Sequence, residues 1–324
     1  MDVKRIAVLT SGGDAPGMNA CIRSVVRACV HFDIEVFGIR RGYQGLIEND
    51  ICQLSASSVA NIIQYGGTIL KTARSKDFMT VEGRKQAYEN LKKHNIDGIV
   101  CIGGNGTYTG AMVFEKEYGI PSMGCPGTID NDLWGTDYTI GYDTAINTAV
   151  EAIDKIRDTA ESHDRIFFVE VMGRHSGHIA LHAGLAGGAE GIFVPEREHE
   201  LEDIVALYEN KERKKEFSIF VVAEGEQEGH AYEIAKRFQE HHPETDCRVT
   251  VLGHIQRGGK PTSNDRILAS RLGAHAVKAL LEGHRNEAVG IISKDIVFTP
   301  FKDAIERKKD IEDNLWTLNN IITR

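Results

Sequence analysis

Proline is scarce, with seven residues in 324, and no Pro-rich or low-complexity stretch marks a linker. A domain boundary is therefore invisible from composition. Cysteine is thinly spread, at 21, 29, 52, 101, 125 and 247. No Cys-x-x-Cys pair occurs, which argues against zinc and dithiol motifs. The cysteines sit in apolar surroundings, as in Ile99-Val100-Cys101-Ile102, and read as reduced core residues. No apolar run is long enough to span a membrane, and no leader precedes the strand after Met1-Asp2-Val3-Lys4-Arg5, so a cytoplasmic protein is expected. Basic residues are the minority, 38 against 47 acidic, for a net charge of -9. That balance disfavours a nucleic-acid partner but leaves room for local phosphate-holding patches.

What is present is glycine, 33 residues, among ordinary hydrophobic (41%) and charged (26%) fractions. The length favours two domains over one. Strands alternate with helices from end to end, so the fold class is α/β with parallel sheets covered on both faces. Ile6 to Leu9 is a strand, Thr10 to Gly17 a glycine-rich loop, and Met18 to His31 a helix. Such a loop opening a helix is a ready anion site, although it is neither a Walker loop nor a dinucleotide fingerprint. The design repeats at strand 97–102 and the turn Gly103-Gly104-Asn105-Gly106-Thr107. Helices are expected near 82–94, 143–162, 200–216, 231–241, 264–282 and 305–322. Arg40 to Leu46 reads as a loop whose Tyr43 can lie against a base, and Gly66 to Arg74 as a second loop ending in cations.

Gly124-Cys125-Pro126-Gly127-Thr128-Ile129-Asp130-Asn131-Asp132 follows an apolar run and places two carboxylates two residues apart. It reads either as a polar turn or as a base and a second carboxylate held at a strand end. Arg23 and Arg27, four apart on one helix, share a face that is either solvated or phosphate-binding. His175, His178 and His182 have helical spacing, but no carboxylate or cysteine completes a zinc set, and packed or solvated histidines are expected.

Together, Ser11-Gly12-Gly13-Asp14-Ala15-Pro16-Gly17-Met18-Asn19, Pro126 to Asp132, Glu170-Val171-Met172-Gly173-Arg174, Leu252 to Gly259 and Asp265 to Arg271 resemble bacterial ATP-dependent 6-phosphofructokinases, over about residues 4 to 300. The resemblance implies two similar three-layer αβα lobes with mainly parallel sheets, the phosphofructokinase fold, and an active site between them. It implies that the chain crosses twice, giving a larger nucleotide lobe (1–140 plus 256–305) and a smaller sugar-phosphate lobe (141–255 plus 306–324). By it, Asp130 is the general base toward the sugar 1-hydroxyl, Thr128 and Asp132 orient substrate and Mg2+, and Arg174 stabilises the transferring phosphoryl. Gly12, Tyr43, Arg74, Gly104, Asn105, Gly106 and Thr107 line the ATP side. Met172, Gly173, Glu224, His254 and Arg257 hold fructose 6-phosphate. Arg165 and Arg248 reach its 6-phosphate from a neighbouring subunit of a homotetramer. Arg23, Arg27, Arg157 and Glu190, with Lys214 or Lys215, correspond to an effector site.

Two departures stand out against that family. Asn105 replaces the Asp associated with magnesium, so weaker metal use and slower turnover are expected. Ala56 and Ser57 stand where regulated relatives often carry an Arg and an aromatic, so altered allostery is expected. Three rivals remain: a pyrophosphate-dependent phosphofructokinase, a weakly active regulatory paralogue and, more remotely, an NAD kinase. Gly106 and Gly127, where pyrophosphate users usually carry Asp and Lys, favour ATP.

Overall fold

The structure is a computed structural model that describes residues 3–197, 205, 208–209, 217–226 and 229–322. The chain forms two units. The first comprises Met1–Thr128, Leu133–Thr144 and Arg257–Lys309, and the second Ile129–Asp132, Ala145–Gln256 and Asp310–Arg324.

The strands are β1 (Arg5–Thr10), β2 (Glu35–Ile39), β3 (Ile51–Leu54), β4 (Gly98–Gly103), β5 (Ser122–Pro126) and β6 (Ile166–Val171), then β7 (Gly191–Phe193), β8 (Ser218–Ala223), β9 (Cys247–Val251), β10 (Glu287–Ile292) and β11 (Asp295–Pro300). The helices are α1 (Met18–His31), α2 (Gly42–Glu48), α3 (Val81–Lys93), α4 (Asn105–Tyr118), α5 (Tyr142–His163), α6 (His178–Ala186), α7 (Ala231–His241), α8 (Ser263–Leu281), α9 (Phe301–Glu306) and α10 (Asp313–Ile322).

In the first unit seven strands order as β11-β10-β5-β4-β1-β2-β3, parallel except at the two edges. The central β4, Gly-Ile-Val-Cys-Ile-Gly, is buried throughout, as a strand covered on both faces must be. Its register aligns Thr10 with Ile102 and Gly103 with Pro126, so β1, β4 and β5 end together at the carboxyl edge. Aromatic packing closes one face: Tyr43 stacks on Phe78 with ring centroids 4.1 Å apart, and Tyr108 on Phe301 at 4.7 Å. The second unit has a four-stranded parallel sheet, β7-β8-β6-β9, over a core of Phe168, Phe193, Phe220 and Phe238.

Only the two edge pairs, β10–β11 and β2–β3, are antiparallel, so the sheets are mainly parallel as expected. β10 returns through a two-residue turn at Ser293 and Lys294, with φ 49° and 81°. Two positive φ values are the mark of a hairpin turn that matches strand twist, but Ser-Lys lacks the Asn-Gly signal that would announce it. Arg40 to Leu46 is not a plain loop, because α2 occupies most of it. The single tail helix becomes α9 and α10, with Arg307 extended between them (φ -81°, ψ 131°). The charged helix expected over 200–216, with Lys214 and Lys215, lies almost wholly outside the described residues. Four cysteines are buried, but Cys52 and Cys247 are only half-buried.

Candidate active site

The carboxyl edge of the first sheet carries both glycine turns. Gly12 has φ 88°, and the turn after β1 is tied down by its neighbours. Thr72 Oγ1 donates to Gly12 O at 2.7 Å, and Thr107 Oγ1 to Ser11 O at 3.1 Å. Thr107 therefore bridges the turns after β1 and β4. This closeness requires Gly103: a Cβ there would lie 2.5 Å from Ser11 O and closer still to Thr107 Oγ1. The N-caps of α1 and α4 are Gly17 and Gly104, with no side-chain cap on either. Uncapped helix ends with their dipoles favour an anion. Gly104 thus serves as an N-cap, Asn105 opens α4, and Gly106 has open space around its Cβ position.

The reading of Tyr43 changes. Tyr43 does not offer its ring to a base: it is 5% exposed and stacked on Phe78, and its hydroxyl donates to Thr107 O at 2.6 Å. Burial pushes that hydroxyl's pKa well up, so it stays a donor. Its role is to brace Thr107 from the core. Arg257, grouped by resemblance with the sugar residues, folds with the first unit, its guanidinium against Gly13 and donating to Asp14 O at 3.4 Å. Arg74 is exposed and has no acidic partner among the described residues.

In the second unit Asp130 is 4% exposed, and Arg174 Nε lies 3.6 Å from its Oδ2. Ser176 Oγ donates to Asp130 O at 2.9 Å. The turn bearing Arg174 is strained, with φ 54° at a non-glycine residue. Glu224 compensates: its Oε1 accepts from Arg174 N at 2.7 Å and Gly173 N at 3.3 Å. Asn131 takes φ 53°, a conformation its short amide tolerates, which turns the backbone between Asp130 and Asp132. Met172 N donates to Gln256 Oε1 at 3.3 Å, while His254 is exposed on the adjoining turn. Arg165 and Arg248 come together on one carboxylate, Asp246, at 2.7 and 2.9 Å. Two guanidiniums on one carboxylate leave a net positive charge there.

Magnesium usually takes one or two carboxylates and keeps waters and substrate phosphates as its other ligands. In the second unit the half-buried Asp132 carries a carboxylate, and in the first unit Asn105 carries an amide oxygen. Each is by itself a hard oxygen donor of the kind magnesium takes. Among the described residues, no group of three or more His, Cys, Asp or Glu forms a dedicated cage. His178 is buried and His182 Nε2 lies 3.6 Å from Glu312.

The residues expected at an effector site fall in different units. Arg23 and Arg27 line a cavity of about 380 Å³ with His31, His275 and Lys278. Arg157 donates to Gly188 O at 3.0 Å, and the buried Glu190 accepts from Ile219 N at 2.7 Å, so both have structural partners.

Sequence reasoning missed Ser176, Asp246 and Gln256, which touch the named residues. An acid between two arginines was a weak clue to Asp246; nothing local signalled the other two. It also left Asp265 without a role, although the residue lies in a quoted motif.

Fold and turns define a class: a two-sheet α/β protein with glycine turns and uncapped helix ends at the strand ends of its first sheet, where such folds bind their ligands. The Phosphofructokinase family model matches residues 5–280, and the chain belongs to that family. It is 56% identical to ATP-dependent 6-phosphofructokinase 1 of Thermus thermophilus, covering 99% of each chain. It is 54% identical to the ATP-dependent 6-phosphofructokinase of Cytophaga hutchinsonii, over 98% of this chain and 97% of that one. The solved phosphofructokinase of Saccharomyces cerevisiae superposes with a TM-score of 0.89 at 36% identity, over 98% of this chain. This chain spans 46% of the yeast chain, just under half its length. No helix among the described residues is long and apolar enough to cross a membrane.

Proposed function

We propose that the chain transfers the terminal phosphoryl of ATP to the 1-hydroxyl of fructose 6-phosphate, giving fructose 1,6-bisphosphate and ADP. The observation that carries this reading is the buried Asp130 with Arg174 3.6 Å away, both held in place by Ser176 and Glu224. Asp130 accepts the proton as the sugar oxygen attacks phosphorus, and the bond to the ADP oxygen breaks. Arg174 stabilises the charge on the phosphoryl in flight. Arg74, Gly12 and the turn Gly104 to Thr107 hold the nucleotide phosphates. Arg165 and Arg248 receive the 6-phosphate, offered to a neighbouring copy in a homotetramer. Asp132 would hold magnesium, with Asn105 as a weaker oxygen donor; bound magnesium neutralises charge on the nucleotide phosphates.

Gly127 supports ATP over pyrophosphate as donor. A Cβ there would meet Ile102 Cγ2 at 2.9 Å and Met18 Cε at 3.2 Å, which leaves little room for a lysine. A coupled assay with fructose 6-phosphate, comparing ATP with pyrophosphate and titrating magnesium, tests the reading. Turnover with ATP is expected. Turnover with pyrophosphate alone would reassign the donor, and none with either would favour a regulatory role. Light scattering tests the tetramer.

A further inference from the structure

Asp265 has no role in the reading above, yet it is a fully buried carboxylate in the first unit. It occupies the third position of α8, whose N-cap is Thr262: Thr262 Oγ1 accepts from Asp265 N at 3.2 Å. In an ordinary capping box the acid at this position reaches back to the N-cap amide. Here it does not. Asp265 Oδ1 accepts from Gly141 N at 2.8 Å, and Oδ2 accepts from Thr144 N at 2.8 Å and Thr144 Oγ1 at 2.5 Å. The amide that the acid leaves, Thr262 N, donates to Thr144 Oγ1 at 3.0 Å. Thr262 Oγ1 in turn donates to Asp143 Oδ2 at 2.5 Å. The box is closed through a third party, the strap 139–144.

That strap is built onto the catalytic strand end. Ile140 N donates to Pro126 O at 2.8 Å, and Thr139 Oγ1 to Thr128 O at 2.6 Å. It also abuts the first glycine loop: a Cβ on Gly141 would lie 2.7 Å from Ala15 Cβ, and one on Gly17 2.7 Å from Ile140 Cγ2. One carboxylate therefore anchors a strap that touches both the phosphate loop and the backbone of Thr128, two residues before Asp130.

We propose that Asp265 is a positioning residue: by clasping Gly141 and Thr144 it fixes the strap that holds Thr128 and the loop Ala15–Gly17 in their working places. The proposal rests on the assignment of Thr128 to Asp132 to phosphoryl transfer. It assigns Thr144 a specific part, because its hydroxyl is at once acceptor for the helix cap and donor to the carboxylate.

The test compares Thr144→Val, Thr144→Ser and Asp265→Asn in the full chain, by steady-state kinetics and by hydrogen exchange of peptides from the strap. Thr144→Val keeps the shape and removes the hydroxyl, so kcat should fall about tenfold, with KM for fructose 6-phosphate within about twofold of the parent. Thr144→Ser keeps the hydroxyl and should restore kcat to within about twofold. In Asp265→Asn the strap amides should exchange at least about tenfold faster, while peptides from α3 stay unchanged. If Asp265→Asn does not fold, the Thr144 pair decides. Parental kcat in Thr144→Val, or equal losses in Val and Ser, would overturn the proposal. A parent chain inactive with fructose 6-phosphate would overturn the functional reading instead. Exchange would then decide the clasp: faster exchange keeps it, and unchanged exchange removes it.

Discussion

Replacing Gly103 by Ala is the sharpest probe of the nucleotide side. Gly103 ends β4, and a Cβ there would lie 2.5 Å from Ser11 O, against 3.4 Å for ordinary contact. The turns after β1 and β4 must therefore part by about 0.9 Å. The bond from Thr107 Oγ1 to Ser11 O, now 3.1 Å, sits in the same gap and is lost with the shift. A lost hydrogen bond costs about 1 kcal/mol and overpacking about 1–3 kcal/mol, so stability should fall by about 2–4 kcal/mol. A displacement near 1 Å in a positioning loop can cost about 100-fold in rate, so kcat/KM for ATP should fall by about that factor. Because Gly103 ends β4 beside the nucleotide turns, KM for fructose 6-phosphate should change less than KM for ATP. Thermal unfolding and steady-state kinetics with each substrate varied are the assays. Gly106→Ala is the contrast, since nothing lies within 4 Å of that Cβ position and its stability should not fall. If Gly103→Ala melts with the parent and keeps its kcat/KM for ATP, the two turns are not coupled through this contact.

The remaining predictions address other parts of the site. Asp130→Asn should lower kcat by about 10²–10⁴-fold, with fructose 6-phosphate still bound in calorimetry; near-parental turnover would remove Asp130 as the base. Asn105→Asp should lower the magnesium needed for half-maximal rate, and a carboxylate in the first turn of α4 should add about 0.3–1 kcal/mol of stability. An unchanged magnesium requirement would show that Asn105 does not face the metal. Burial raises the Asp265 pKa from 3.8 to about 6, against lowering bonds from Thr144 and Gly141. A carboxyl with a raised folded pKa stabilises the fold most below its unfolded value, and that contribution is lost as pH rises through its folded value. The stability of the parent minus that of Asp265→Asn should therefore fall by about 2 kcal/mol from about pH 4 to 7. A difference flat across that window would contradict the assignment.

Much of the fold was legible because its signals are local. Helices α1, α3, α5 and α8 follow apolar spacing and lie within about a residue of their expected ends. The β10–β11 hairpin was not legible, because Ser293-Lys294 gives no warning of two positive φ values. Tyr43 was misread for a related reason. An aromatic beside glycines looks the same whether it faces a ligand or a core, and only Phe78, 35 residues on, decides which.

The sequence by itself determined the α/β class, the two glycine turns and the Thr128-Ile129-Asp130-Asn131-Asp132 segment, because each is a short-range pattern of residue types. Tertiary structure alone decided what fixes those turns in space. Thr107 bonds to Ser11 across 96 positions, Glu224 to Arg174 across 50, and Asp265 to Gly141 across 124. A carboxylate that holds a backbone amide can accept from any residue's N–H, so the partner leaves no mark on the sequence. Only the paired register of strands and the packing of α8 bring these groups within hydrogen-bond reach.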